Sequence, residues 1–304
     1  MNHTRHLTLA ACGLLAAAAL AACSSSGGGS SEQTNQASPP PSAQTNAAAN
    51  APATSSAGCT PAHANLQTIS KGSLTVLVYV SPPYTTKDGN SYGGVDGTIV
   101  KKIAAMECLK LKESSVAPAA LVASIQSKRG DVAIGGVYYT AQRAQAMSLS
   151  DPMYRDGMAL LSKKSVDGTV AGLKGKKVGV VQGYLWDKDF QKALGSGNVK
   201  LYQDSAGMIT DIKNGRLDAA VLTSAEAGYR AKQDSSLKVT NFASTPQIAA
   251  SKSQNDVVLM SPKQSASLTK ALNGDVKKLI SDGSVAAALK DNGMDPALAG
   301  PAGS

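Results

Sequence analysis

Positions 74–80 read Leu-Thr-Val-Leu-Val-Tyr-Val, a run dense in β-branched residues and of the right length for a buried strand. The period then changes. Ile99, Ile103 and Met106 recur at helical spacing and predict a helix over 97–109. Short apolar runs at 132–134, 158–161, 177–181, 199–202 and 218–222 read as further strands. Helices are predicted between them at 121–128 and at 206–214, the second stopped by Gly215. A final helix is predicted over 262–282, with Ser261 as its cap, Pro262 in its first turn and Gly283 as its stop. Leu268, Leu272, Val276 and Leu279 stripe the face it would bury. Strands alternating with helices predict parallel-rich α/β sheets.

The first fifty-eight residues do not join this pattern, since they hold no Trp, Tyr, Phe, Val or Ile. His3, Arg5 and His6 form a polar, basic start, and residues 7–19 follow as an apolar stretch of signal-peptide length, too short to span a bilayer. Leu20-Ala21-Ala22-Cys23 then resembles the bacterial lipoprotein box. That resemblance implies a signal peptide over 1–22 and a Cys23 that is acylated (a palmitate-type modification) and anchors the chain to the outer face of the cell membrane. An ordinary cleaved signal with an incidental cysteine is the alternative. Residues 23–57 are rich in Ser, Gly, Ala, Gln, Asn and Pro and carry one charge, Glu32, so they are expected to be a disordered tether. Such a tether would have a reach of ~30–35 Å.

With Cys12 lost with the signal and Cys23 acylated, Cys59 and Cys108 are left, and an exported chain with two cysteines is expected to join them. Free buried thiols are the alternative. Losing Arg5 lowers the net charge from +9 to +8. The lysines are scattered and not interleaved with aromatics, which describes a solvated basic surface and not a nucleic-acid groove. Of three histidines only His63 lies in the folding part, so no multi-His metal site, no Ser-His-Asp triad and no cofactor are expected. Gly172-Leu173-Lys174-Gly175-Lys176-Lys177 lacks the spacing and the final hydroxyl of a phosphate-binding loop.

Seven short segments, in order, give the chain a family resemblance. They include Ser81-Pro82-Pro83-Tyr84, Gly94-Val95-Asp96-Gly97, the run from Gly130 to Gly136 and Thr140-Ala141-Gln142-Arg143-Ala144. Ser150-Asp151-Pro152-Met153-Tyr154, the run from Leu173 to Gly183 and Gly215-Arg216-Leu217-Asp218-Ala219-Ala220 complete the set. From about residue 60 to 293 the chain resembles the extracellular solute-binding proteins of ABC importers, family 3. The resemblance implies a periplasmic-binding-protein-like α/β fold, with two α/β lobes joined by a two-crossover hinge. Lobe 1 would take residues 58–162 and 254–295, lobe 2 would take 163–253, and 296–304 would be a flexible tail. It further implies a monomer that closes on a small molecule and presents it to permease subunits, without catalysis.

Residue by residue, Arg143 matches the family arginine that grips an α-carboxylate, and Thr140 would cap the helix carrying it. Ser81, Tyr84, Gly136, Tyr138, Tyr184, Trp186 and Thr223 fall in segments the family places at the cleft, as do Tyr79 and Tyr139. Tyr79 is expected to turn into the packing instead. Thr223 stands where amino-acid receptors carry an ammonium-binding aspartate, and Glu226 is a possible substitute that could equally face solvent. The expected ligand is therefore amino-acid-like or amine-containing, held by one carboxylate anchor among aromatic faces. Two other readings share the fold. One is a ligand-sensing receptor domain; the other is a dehydratase of cyclic acids, poorly supplied with acid/base groups in the cleft.

Overall fold

The structure, a computed structural model, describes residues 58–252 and 254–301. The expected signal peptide, the expected acylation site Cys23 and the expected tether lie outside the described residues. No described helix is long and apolar enough to cross a membrane.

Two five-stranded sheets organise the chain. In the first, Ser73–Val78 lies parallel to Lys110–Ser115 on one side and to Val132–Ile134 on the other. Met260–Ser261 then adds antiparallel, followed by Ser148–Leu149. The second sheet places Val199–Tyr202, Val178–Val181 and Ala219–Thr223 in parallel, then adds Met158–Ser162 and Lys238–Asn241 antiparallel. Parallel neighbours need crossover helices, and these cover both faces of each sheet. Leu74, Val76, Ile99, Ile103, Leu268 and Leu272 meet on one face of the first sheet, and Leu77, Leu121, Ile125 and Ala133 on the other. Leu161, Met208, Ile212 and Leu222 pack together on a face of the second.

The two passages between the sheets pair with each other. Tyr154–Asp156, on the way out, lies antiparallel to Asn255–Val257 on the way back. This ribbon is the hinge, and it sets the site between the two sheets.

Several expectations shift. The boundary at 162 assigned Met158–Ser162 to the first lobe, but its hydrogen bonds run to Ala219–Thr223 and Lys238–Asn241 in the second sheet. Ser261 does not cap the last long helix, because Met260–Ser261 is a strand and the helix runs Ala266–Ser281. Its buried stripe is the expected one, and Gly283, at φ 77°, separates it from a second helix, Ser284–Asp291. The expected tail is docked as far as residue 301. Gly300 N donates to Met153 O at 2.8 Å, and the Arg155 guanidinium donates to Ala297 O at 2.8 Å. Cys59 and Cys108 are disulfide-bonded, with Cα atoms 5.9 Å apart, and tie the start of the described chain to the end of helix Gly94–Met106.

Candidate functional site

The site begins with a loop of the first lobe. After strand Val132–Ile134 the chain turns through Gly135 and Gly136, the latter at φ 68°, where a Cβ would come within 2.7 Å of the Tyr84 ring. Only glycine fits there. Both backbone N–H groups of the pair donate to the buried Asp96 carboxylate, at 3.0 and 2.9 Å, and Tyr154 OH donates to its other oxygen. Burial pushes the Asp96 pKa up, and these donors partly hold it down.

The loop leads into the short helix Ala141–Ala146. Thr140 caps it, accepting from Arg143 N at 3.0 Å, and stands off the cavity wall. Arg143 lines the cavity, with Nη1 donating to Tyr138 O at 2.7 Å. Burial lowers its pKa to about 10, which leaves it charged at neutral pH. Among the described residues no carboxylate lies within ion-pair distance of this guanidinium.

The second lobe contributes the loop after strand Val178–Val181. Gly183, at φ 90°, passes so near the first lobe that a Cβ would sit 2.8 Å from Ala119 Cα. Tyr184 and Trp186 follow, their rings edge-on at 5.1 Å, and Trp186 also tilts against Tyr138 at 6.1 Å. Trp186 is 2% exposed, and its buried indole N–H has no hydrogen-bond partner. At the end of strand Ala219–Thr223, the Thr223 hydroxyl accepts from Glu226 N at 3.1 Å and so caps helix Ser224–Gln233. Thr223 lines the cavity, but that hydroxyl is already engaged as an acceptor.

Glu226 is fully enclosed and does not face solvent. Within its own lobe it accepts from Ser205 Oγ at 2.5 Å, Arg230 Nη2 at 3.2 Å and Tyr184 OH at 3.3 Å; from the first lobe Ser81 Oγ reaches it at 3.4 Å. Burial raises its pKa, while Ser205 and Arg230 lower it. Tyr79 packs into the core of the first lobe, as expected, and also lines the cavity, its hydroxyl 2.9 Å from Tyr184 OH. Burial, then Glu226, raises its pKa.

Of the expected site residues, Ser81, Tyr84, Gly136, Tyr138, Arg143, Tyr184, Trp186 and Thr223 border this one cavity. Thr140 acts only through its cap, and Tyr139 is 47% exposed and off the wall. Tyr84 is more a pillar than a contact, because its hydroxyl donates to Asp156. Asp156 sits in the hinge ribbon. It also receives Tyr138 OH at 3.1 Å from the first lobe and Ala225 N at 3.3 Å from the second. Burial pushes its pKa up to about 6. No sequence motif marked Asp156, since its environment is assembled from both lobes.

The cavity measures about 50 Å³, room for a few waters. The lobes are drawn together, and anything the size of an amino acid enters only if the Tyr79–Tyr184 and Ser81–Glu226 contacts part. Beyond Tyr79 a second space of about 490 Å³ lies between Ser115–Pro118 of one lobe and Gln203–Ala206 of the other. A mostly buried cation without a counter-ion, aromatic faces and an enclosed carboxylate suit a zwitterionic guest.

Two sheet-containing lobes, a paired-strand hinge and a cavity between them define a periplasmic-binding-protein-like fold. The family of bacterial extracellular solute-binding proteins, family 3, matches residues 74–194 of this chain. The L-cystine-binding protein TcyJ of Escherichia coli K12 is 30% identical over 171 residues, covering 55% of this chain and 61% of that protein. The arginine-binding extracellular protein ArtP of Bacillus subtilis is 25% identical, covering 50% of this chain and 62% of that protein. The matches therefore span under two thirds of these relatives' length. Among solved structures, the amino-acid ABC transporter substrate-binding protein AbpA of Streptococcus pneumoniae, bound to L-arginine, superposes with a TM-score of 0.66 at 25% identity. That superposition covers 73% of this chain and 94% of AbpA.

Proposed function

We propose that this chain is the extracellular receptor of an ABC importer, lipid-anchored through Cys23, that traps an amino acid or closely related amine-bearing carboxylate between its lobes. The observation that carries the reading is the guanidinium of Arg143. It is mostly buried, borders the interlobe cavity, and among the described residues has no carboxylate to neutralise it. A ligand carboxylate would fill that role bidentately. Glu226, across the cleft and fully enclosed, takes the place of the missing aspartate as acceptor for an ammonium group.

Relatives named for arginine, cystine and histidine support an amino-acid guest. The aromatic wall of Tyr79, Tyr184 and Trp186 favours a side chain that is flat or cationic, extending past Tyr79 into the larger space. Closure of the lobes on the guest is the signal a permease reads.

The test is calorimetry of the purified protein against arginine, cystine, histidine and betaine, with Arg143→Ala in parallel. The expected result is binding of an amino acid that weakens by ~2–4 kcal/mol in the variant. Unchanged affinity in Arg143→Ala would remove the carboxylate anchor from the site.

A further inference from the structure

Far from the interlobe cavity, three side chains from separate parts of the chain converge. His63 lies on the segment that enters the first lobe, Glu107 is the C-cap of helix Gly94–Met106, and Asp275 sits midway along helix Ala266–Ser281. One ligand-capable atom from each lies within 4.8 Å of the others. His63 Nδ1 is 2.6 Å from Glu107 Oε1 and 3.8 Å from Asp275 Oδ1.

Asp275 is 1% exposed, and among the described residues neither of its carboxylate oxygens has a hydrogen-bond partner. Glu107 is 3% exposed, and among the described residues neither acid is paired with a lysine or arginine. Burial and the neighbouring Glu107 carboxylate raise the Asp275 pKa, so the two acids do not stand as two full charges against the imidazole, and a cation between them would favour the ionised form. The position is also shaped for the ring. At Gly274 a Cβ would come within 2.8 Å of His63 Nε2, so this mid-helix glycine is what lets the imidazole lie over the helix. The His63 side chain is 37% exposed, which gives an ion a way in.

We propose that His63, Glu107 and Asp275 form a binding site for one divalent cation of the zinc class. One imidazole nitrogen with two carboxylate oxygens suits zinc, whereas calcium and magnesium prefer oxygen alone. Bond lengths of ~2.0–2.2 Å set tetrahedral ligands roughly 3.3 Å apart, so the His63–Glu107 pair opens slightly and Asp275 closes slightly on the ion. Water completes the shell. The bound ion clamps the entering segment to two helices beside the Cys59–Cys108 disulfide, and so fixes where the tether leaves the lobe. Counting histidines had argued against metal because the carboxylate partners are distant in sequence.

The test is titration of chelator-stripped full-length protein with zinc chloride by calorimetry, beside His63→Ala, Asp275→Asn and a calcium chloride control. The expected result is one zinc per chain, an affinity at least about tenfold weaker in each variant, and no comparable calcium binding. Zinc also raises the unfolding midpoint of the wild type and not of His63→Ala. Absence of zinc uptake, uptake unchanged in His63→Ala, or a preference for calcium would overturn the proposal. The half-exposed His63 keeps the test decisive if Asp275→Asn does not fold.

Discussion

Asp96 in the first lobe and Glu226 in the second occupy the same place in their helices, the third residue, and both are fully enclosed. Their partners differ. Asp96 is held by Gly135 N, Gly136 N and Tyr154 OH, none of them contributed by the second sheet's lobe. Glu226 is held by Ser205, Arg230 and Tyr184 of its own lobe and touches Ser81 of the other. The first carboxylate makes a platform that holds the glycine loop leading to Arg143 through contacts outside the second lobe. The second carries a contact that crosses from one lobe to the other. Equivalent burial thus serves a single lobe on one side and spans two lobes on the other.

That contrast can be broken most directly at Asp96. Asp96→Ala leaves two backbone N–H groups and a tyrosine hydroxyl without their acceptor and is expected to cost ~3–5 kcal/mol of stability. Urea unfolding would check it, and a loss under about 1 kcal/mol would mean the loop is not pinned by this residue.

Asp156, in the hinge between the two, gives the next effect. Its folded pKa, about 6, lies above the ordinary 3.8, so between those values the folded state holds a proton that the unfolded chain has released. Stability from this group is therefore greatest below pH 4 and is lost as pH rises to 6, by up to about 3 kcal/mol. Unfolding curves at pH 4 and 7 should show the wild type gaining on Asp156→Asn upon acidification. Parallel profiles would reject this account.

Glu226→Gln should weaken binding of an ammonium-bearing ligand by ~1–3 kcal/mol, while betaine-like ligands without N–H donors lose less. Equal losses for both would reduce Glu226 to a purely structural role like that of Asp96. The smallest effect is optical. The sole tryptophan, Trp186, contacts rings of both lobes, so ligand-driven closure should change its emission. A silent titration alongside confirmed binding would place closure elsewhere.

Most of the architecture was legible because buried parallel strands and their helices carry strong local patterns. The runs at 132–134 and 218–222 and the stripe from Leu268 to Leu279 fell where expected. Strands Lys110–Ser115 and Lys238–Asn241 were missed because each lies at the edge of its sheet and is polar and half-exposed, so no apolar run marks it. In the site, the glycine pair was legible because backbone geometry there demands glycine, and Arg143 was legible only through the family resemblance. Tyr79 packs inward as expected, but its second role at the cavity was not legible, because alternation along one strand does not reveal what the opposite lobe presents.

By itself, the sequence determined the α/β alternation and the choice of Cys59 and Cys108 as partners, whereas Arg143 was singled out only by the family resemblance. The first two depend on residue type and on spacing along the chain. Only the tertiary structure decided that Glu226 is enclosed between lobes, that Asp156 joins both lobes at the hinge, and that His63 meets Glu107 and Asp275. A carboxylate's role depends on solvent exclusion and on which donors surround it, and both come from segments far apart in sequence.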